Sequence, residues 1–131
     1  MSWVELLHVT LYPRGGVVPK STGPSKSELL KGTLDMLILQ TLTTQPLHGY
    51  AIAQQIELLS DAVLTVEQGS LYPALERLQK RGWVTSKWGE SPTGRRARYY
   101  TLTATGRRQL GEEISDFDRV LVAINRVMRR A

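Results

Sequence analysis

The sequence predicts a mainly α domain with a small β-hairpin, and three observations carry that prediction. Apolar residues recur at helical spacing in three segments between residues 32 and 80. Two strand-like segments then flank a turn rich in Gly and Pro, and a long apolar stripe follows to the C-terminus. A helix with a polar face followed directly by an arginine-tipped hairpin is the layout of a winged helix-turn-helix. We therefore expect that fold, with a long C-terminal dimerisation helix.

The length of 131 residues allows one domain with a modest core, and an apolar content of 41% is ordinary for a soluble fold. Residues 1–26 combine proline and glycine with Ser and Thr, so we expect a flexible N-terminal arm. Residues 27–103 would form the winged helix-turn-helix domain. Residues 104–131 would form the dimerisation helix.

The first two helices are predicted from the spacing of their apolar residues. The first should begin near Gly32 and Thr33 and end before Pro46. The second should run from about His48 to Leu59. Its inward side chains would be Ala51, Ile52, Ile56 and Leu59.

The third helix carries the polar face. Thr65 is placed to cap its start, with Gln68 reaching back from three residues on, and Gly82 can adopt the left-handed conformation that ends it. Pro73 either follows a start close to Ser70 or sits in a built-in distortion. The buried stripe would be Leu71, Ala74, Leu75 and Leu78. The side chains that face solvent or DNA would be Gln68, Ser70, Tyr72, Arg77 and Lys80.

The hairpin, or wing, should consist of strands at residues 83–88 and 97–103 joined by a turn at residues 89–94. Its arginines, Arg95, Arg96 and Arg98, sit where side chains can enter a minor groove or grip phosphates; the alternative is a solvated basic loop. Trp83 and Tyr100 are expected in the core beneath the wing.

The last helix should begin after a Thr103 cap and run from about Ala104 to Arg129. Its stripe has the spacing of a helix–helix seam, which predicts a homodimer; the alternative is a helix folded back on its own domain. The expected dimer interface is Leu110, Ile114, Phe117, Leu121, Ile124 and Met128.

Charge and composition narrow the partners. The net charge is +5, and nine cations between Arg77 and Arg108 are opposed only by Glu90, which favours double-stranded DNA as the partner.

There is no cysteine, and the chain holds two histidines, so we expect no metal, no cofactor and no catalytic site. The spacing Gly89-x-x-x-x-Gly94 lacks the Lys and Ser/Thr of a phosphate-binding loop. No apolar run spans a membrane and no signal peptide is evident, so we expect a cytoplasmic protein.

Five segments in order resemble the PadR family of bacterial transcriptional regulators, over about residues 29–110. They are LKGTLDMLIL from Leu30, HGY from His48, GSLYPALERL from Gly69, GWV from Gly82 and GRRARYYTLTATG from Gly94. The resemblance implies a winged-helix repressor that binds pseudo-palindromic promoter DNA as a homodimer. The helix bearing Ser70, Tyr72, Arg77 and Lys80 would enter the major groove, and Arg95 and Arg96 would contact the flanking backbone or minor groove.

The single helix after the wing is similar to that of the short PadR subfamily, some members of which bind aromatic drugs between tryptophans at the dimer centre. Here the final helix has Phe117 and no tryptophan. A small-molecule effector therefore stays open and unidentified. The rival interpretation of the whole chain is a winged-helix module that binds protein and not DNA.

Overall fold

The computed structural model describes the backbone of residues 26–129 and the side chains of residues 33–129. In chain order the elements are α1 (Lys26–Thr41), β1 (Leu47–His48), α2 (Gly49–Leu59), α3 (Gln68–Lys80), β2 (Val84–Glu90), β3 (Arg96–Leu102) and α4 (Ala104–Met128). The predicted mainly α fold with a hairpin is confirmed. The N-terminal arm predicted for residues 1–26 lies outside the described residues, apart from Lys26.

Helix α1 begins earlier than the sequence suggested. The predicted start near Gly32 and Thr33 is wrong, because the helix already begins at Lys26. Leu29, Leu30 and Lys31 are strong helix formers, and a single glycine inside a helix costs only about 1 kcal/mol relative to alanine. The helix ends at Thr41, whose hydroxyl donates to the carbonyl of Ile38 at 2.7 Å.

Helix α2 is capped by His48, whose Nδ1 accepts a hydrogen bond from the backbone N–H of Ala51 at 3.2 Å. The expectation that Leu59 points inward is wrong, since this residue is 70% exposed. The chain turns immediately after it through Asp61 and Ala62, which both have positive φ. Ser60 is buried instead, and its Oγ accepts the backbone N–H of Leu64 at 3.0 Å. The helical periodicity predicted that Leu59 would be buried, but the buried residue at the end of this helix is Ser60, which stabilises the turn.

Helix α3 begins at Gln68, and the predicted cap at Thr65 is wrong. The N-cap is Glu67, whose carbonyl, and not its side chain, accepts the N–H groups of Ser70 and Leu71 at 3.0 Å. Pro73 lies inside the helix. The predicted end at Gly82 is confirmed: its φ is +76° and its N–H donates to the carbonyl of Gln79 at 3.0 Å.

The three strands form an antiparallel sheet in the order β1-β3-β2. The hairpin strands reach further into the predicted turn than expected, because Glu90 pairs with Arg96. Strand β1 was not predicted, since two residues give no periodic signal. Leu47 pairs with Tyr100 and His48 with Tyr99, which places the start of α2 beside the wing.

The core lies between α1, α2, α3 and the root of the sheet, and α4 closes it. Leu39, Ile52 and Leu75 at its centre have no exposed surface. The predicted cap of α4 is confirmed, because Thr103 Oγ1 accepts the N–H of Gly106 at 2.9 Å. The same hydroxyl donates to the carbonyl of Gly82 at 2.7 Å, so the start of α4 is tied to the end of α3. Within residues 26–129, no helix is long and apolar enough to cross a bilayer.

Candidate nucleic-acid interface

The burial of α3 determines which side chains it presents outward. Leu71, Ala74, Leu75 and Leu78 are at most 1% exposed, so the predicted stripe is confirmed. Tyr72, Glu76 and Lys80, spaced four residues apart, therefore lie together on the opposite side. Tyr72 is 46% exposed, and Lys80 Nζ lies 3.4 Å from the Glu76 carboxylate. Gln68 is exposed in the first turn, whereas Ser70 is half-buried.

Arg77 is not on this exposed face, and that expectation is corrected. Its Nη2 donates to the carboxylate of Asp35 on α1 at 2.9 Å, and its side chain is 27% exposed against 8% for Asp35. Arg81 Nη1 lies 3.9 Å from the other oxygen of Asp35. The ion pair of Arg77 with Asp35 therefore connects α3 to α1. The buried carboxylate of Asp35 requires such a cation and hydrogen-bond donor, because an unpaired buried charge is costly.

Helix α4 approaches the same ion pairs through Glu113. Burial raises the pKa of Glu113, and the charges of Asp35 and Asp116 raise it further while Arg81 lowers it. The carboxylates of Asp35 on α1 and Glu113 on α4 thus both interact with Arg81 at the end of α3.

The wing carries its arginines on a defined turn. Ser91 N–H donates to the carbonyl of Arg95 at 2.7 Å, and Ser91 Oγ accepts the N–H of Arg95 at 3.2 Å. Gly94 has a φ of +80°, a conformation that glycine adopts without a steric cost. The turn therefore holds Arg95 at the tip, and the side chains of Arg95, Arg96 and Arg98 are exposed.

One face of the hairpin runs from the core to this tip. Val84 and Leu102 are paired at its root and buried, and Tyr100 is 6% exposed. Burial raises the pKa of Tyr100, against the opposing charge of Arg98, so its hydroxyl is protonated near neutral pH. Toward the tip the same face carries Trp88 opposite Arg98, then Glu90 opposite Arg96.

Two arginines near the tip lie over the ring of Trp88, within cation–π distance. The guanidinium carbon of Arg96 lies 4.8 Å from the centre of the indole, and that of Arg98 lies 5.7 Å away. Trp88 is 55% exposed. Each such cation–π contact is worth about 0.5–1 kcal/mol at an exposed site.

The α3–wing groove is the cleft between the outer face of α3 and this face of the hairpin. Its inner part is about 570 Å³, and it is lined by Tyr72, Glu76, Gln79, Lys80, Arg98 and Tyr100. It continues into a cleft of about 940 Å³ that also includes Tyr50 at the start of α2, Trp88, Arg95 and Arg96. A cationic groove beside a protruding helix suits a polyanion.

Five of the predicted DNA-binding residues line one groove: Tyr72, Lys80, Arg95, Arg96 and Arg98. Arg77 does not line it and pairs with Asp35 instead. Sequence reasoning missed further residues that line the groove, among them Tyr50, Glu76, Gln79 and Trp88. The spacing 72, 76, 80 could have revealed Glu76. The hairpin register could have revealed Trp88 opposite Arg98.

The apolar stripe of α4 is divided between two environments. Leu110 is 4% exposed and belongs to the core, and Ile114 and Phe117 pack against that core. Leu121 is 7% exposed, so it and Leu110 are already covered within the chain, and the dimer interface along the six residues stays a prediction. Ile124 and Met128 are 38% and 67% exposed. Val120 and Val127 are also exposed, which extends the free apolar surface at the end of the helix.

The profile of the "Transcriptional regulator PadR-like family" matches residues 38–112. The chain belongs to the PadR family. The match includes α3, the whole wing and the start of α4, which are the elements that form the groove. Members of this family are transcriptional regulators and not enzymes.

Solved structures agree with this membership and with a winged-helix fold. A transcriptional regulator from Clostridium thermocellum is 27% identical with a TM-score of 0.69, covering 76% of this chain and 96% of that one. A PadR-like transcription factor from Bacteroides fragilis is 33% identical with a TM-score of 0.63, covering 78% and 96%. A PadR-like transcriptional regulator from Bacillus cereus is 27% identical with a TM-score of 0.68, covering 79% and 99%.

A curated relative, an uncharacterized protein from Lysinibacillus sphaericus, is 26% identical over 103 residues, 79% of this chain and 94% of its own. The similarity therefore extends over nearly the full length of these relatives. The protein is therefore a DNA-binding transcriptional regulator of the PadR family. The α3–wing groove is its candidate DNA interface.

Proposed function

We propose that this PadR-family regulator is a repressor that binds pseudo-palindromic promoter DNA as a homodimer. Helix α3 enters the major groove with Tyr72 and Lys80, and Gln68 and Ser70 approach the backbone from its first turn. Arg95, Arg96 and Arg98 contact the flanking phosphates or the minor groove. Arg77 is not a DNA ligand in this proposal, because Asp35 already occupies its guanidinium group.

The observation that carries the proposal is that the wing arginines are exposed and not paired with carboxylates among the described residues. Arg95, Arg96 and Arg98 all face the same groove as the outer side of α3. Cations gathered without internal counterions create a local positive potential, which attracts the phosphate backbone and releases its condensed cations on binding.

The homodimer is supported by the end of α4. Val120, Ile124 and Val127 share one helical face and are 54%, 38% and 72% exposed. A second copy would cover this surface and that of Met128. Two-fold pairing would hold two α3 helices for half-sites about 34 Å apart, one turn of DNA. An effector or partner that changes their angle would release one half-site and then the operator.

The test is selection of bound sequences from a random pool of DNA duplexes at near-physiological salt, followed by affinity measurements on the enriched sequence. We expect an inverted repeat. The variant Arg95→Ala/Arg96→Ala should weaken binding and reduce the slope of log affinity against log salt by about 0.9 for each phosphate that the variant no longer neutralises. The matched control is Arg108→Ala/Arg119→Ala, which removes two exposed cations of α4 outside the groove.

Each outcome separates the alternatives. A folded dimer that binds no DNA would overturn the proposal and favour a winged-helix module that binds protein. Binding without an enriched sequence would overturn operator recognition and leave an electrostatic, non-specific DNA binder. An enriched single half-site without symmetry would overturn the homodimer on DNA.

A further inference from the structure

We propose that Trp88 is a positioning residue for DNA binding, which holds the guanidinium groups of Arg96 and Arg98 in the orientation that phosphates require. Trp88 would act through these arginines and not by touching DNA. The inference rests on the proposed DNA-binding function and assigns a role to a residue that charge alone would overlook.

The environment of Trp88 requires an explanation. It lies on the hairpin face that is buried at the root, yet it is 55% exposed and outside the core. A large aromatic side chain at the tip of a strand has little to pack against. Its ring surface is instead occupied by two guanidinium groups, 4.8 Å and 5.7 Å from its centre.

Arg96 lies over Trp88 although a carboxylate stands directly opposite it on the neighbouring strand. Glu90 is the direct cross-strand partner of Arg96. A carboxylate in this position ordinarily attracts an opposite cation. Arg96 nevertheless lies over Trp88 and pairs with no carboxylate among the residues described.

The geometry of stacking preserves the groups that bind phosphate. A guanidinium group is planar, and its five N–H donors point outward in that plane. An indole against the face of the group therefore leaves these donors free. Arg77 shows the contrast, because its Nη2 donates to Asp35 and is no longer available. Stacking also restricts long side chains before DNA arrives, so less rotamer entropy is lost on binding.

Two other roles for Trp88 predict different results. A tryptophan that only stabilises the hairpin would affect unfolding and not the affinity of the folded protein. A tryptophan that contacts DNA directly would contribute whether or not the arginines are present. A double-mutant cycle separates these roles from positioning.

The cycle compares the full-length protein with Trp88→Ala, Arg96→Ala/Arg98→Ala and the triple variant, on the selected duplex. We expect Trp88→Ala to weaken binding five- to tenfold, about 1–1.4 kcal/mol at 1.4 kcal/mol per tenfold. In the background without the two arginines, the same substitution should change affinity by less than about twofold. Trp88→Phe should retain most of the affinity, because it keeps an aromatic face. The matched control is Thr85→Ala, an exposed position on the other face of β2.

A measurement without DNA tests the stack itself. In NMR spectra of the free protein, the side-chain NεH signals of Arg96 and Arg98 should show ring-current shifts that disappear in Trp88→Ala and partly persist in Trp88→Phe. Thermal unfolding confirms that each variant is folded at the temperature of the binding assay.

The outcomes distinguish this inference from the proposed function. Equal affinity of Trp88→Ala and the unsubstituted protein would overturn the positioning role while leaving DNA binding intact. An unchanged effect in the background without arginines would assign Trp88 a direct contact and would also overturn it. Absence of DNA binding by the unsubstituted protein, with the ring-current shifts present, would overturn the proposed function and the role of the stack together.

Discussion

Helices α3 and α4 are both amphipathic, but only α3 buries its apolar stripe completely. The stripe of α3 is at most 1% exposed from Leu71 to Leu78. The stripe of α4 begins at Leu110, which is 4% exposed, and ends at Met128, which is 67% exposed. Helix α3 completes its packing within the chain, whereas α4 extends past its own domain. The buried stripe of α3 therefore fixes this helix with its polar side chains exposed, whereas the end of α4 exposes apolar side chains.

The largest effect should come from the helix whose packing is complete. We expect Leu75→Ala to lower the free energy of unfolding by about 2–5 kcal/mol, because Leu75 has no exposed surface and its removal leaves a cavity. Urea unfolding followed by circular dichroism measures this. The control Leu58→Ala changes a leucine that is 69% exposed and should be nearly neutral. Equal destabilisation by the two substitutions would refute the contrast between buried and free surface.

The next effect concerns the junction of the two helices. A Cβ at Gly106 would overlap the carbonyl oxygen of Trp83, whereas one at Gly111 would meet nothing within 4 Å. Gly106→Ala should therefore destabilise the fold by about 1–3 kcal/mol through overpacking. Gly111→Ala should stabilise it by about 0.5–1 kcal/mol through helix propensity. The melting temperatures of the two variants should shift in opposite directions, and an upward shift of both would show that the close approach does not constrain α4.

The free end of α4 provides a smaller and more specific effect. We expect Val127→Glu to raise the dimer dissociation constant at least about tenfold, or 1.4 kcal/mol, because a charge would be buried between copies. The control Val122→Glu introduces the same charge on another side of the helix, where the residue is 50% exposed. Analytical ultracentrifugation at several concentrations measures both. A dimer of Val127→Glu as tight as the unsubstituted one would place the interface elsewhere.

The smallest effect is a pH dependence where α4 faces Asp35. Since burial raises the pKa of Glu113, the folded state binds more protons than the unfolded state between the ordinary pKa and the raised one. The free energy of unfolding should therefore fall as pH rises through that window. Glu113→Gln should flatten this dependence and increase stability at neutral pH. Glu112→Gln, an exposed neighbour, is the control and should retain the dependence.

Much of the fold could be predicted because its signals are local. The α3 stripe, the left-handed end at Gly82 and the Thr103 cap each depend on a few residues close in sequence. The wing arginines were predicted in the same way, from a turn between two strand-like segments. Their role as DNA ligands stays a prediction, now supported by exposure and by a shared groove.

The errors have a common physical cause. Periodicity says which side of a helix is outward but not what lies beside it. Arg77 is polar and was assigned to the outer face, yet Asp35, 42 positions away in sequence, takes its guanidinium group. Leu59 continues an apolar pattern, but it is the last residue of the helix, and the turn that follows through Asp61 and Ala62 leaves it 70% exposed. Trp88 looked like an ordinary strand residue until the hairpin register brought Arg98 opposite it.

The order and type of the main elements, the apolar stripes, the basic wing and the family were all readable from the chain, because they follow from neighbouring residues and short motifs. Which cations remain available, and how much of α4 stays uncovered, followed only from the packed fold. Those outcomes depend on contacts between elements: Asp35 on α1 binds Arg77, Trp88 on β2 contacts Arg96 and Arg98 across the hairpin, and Leu110 packs in the core. A side chain's burial and charge partners are set by the packing of elements, which no local pattern contains.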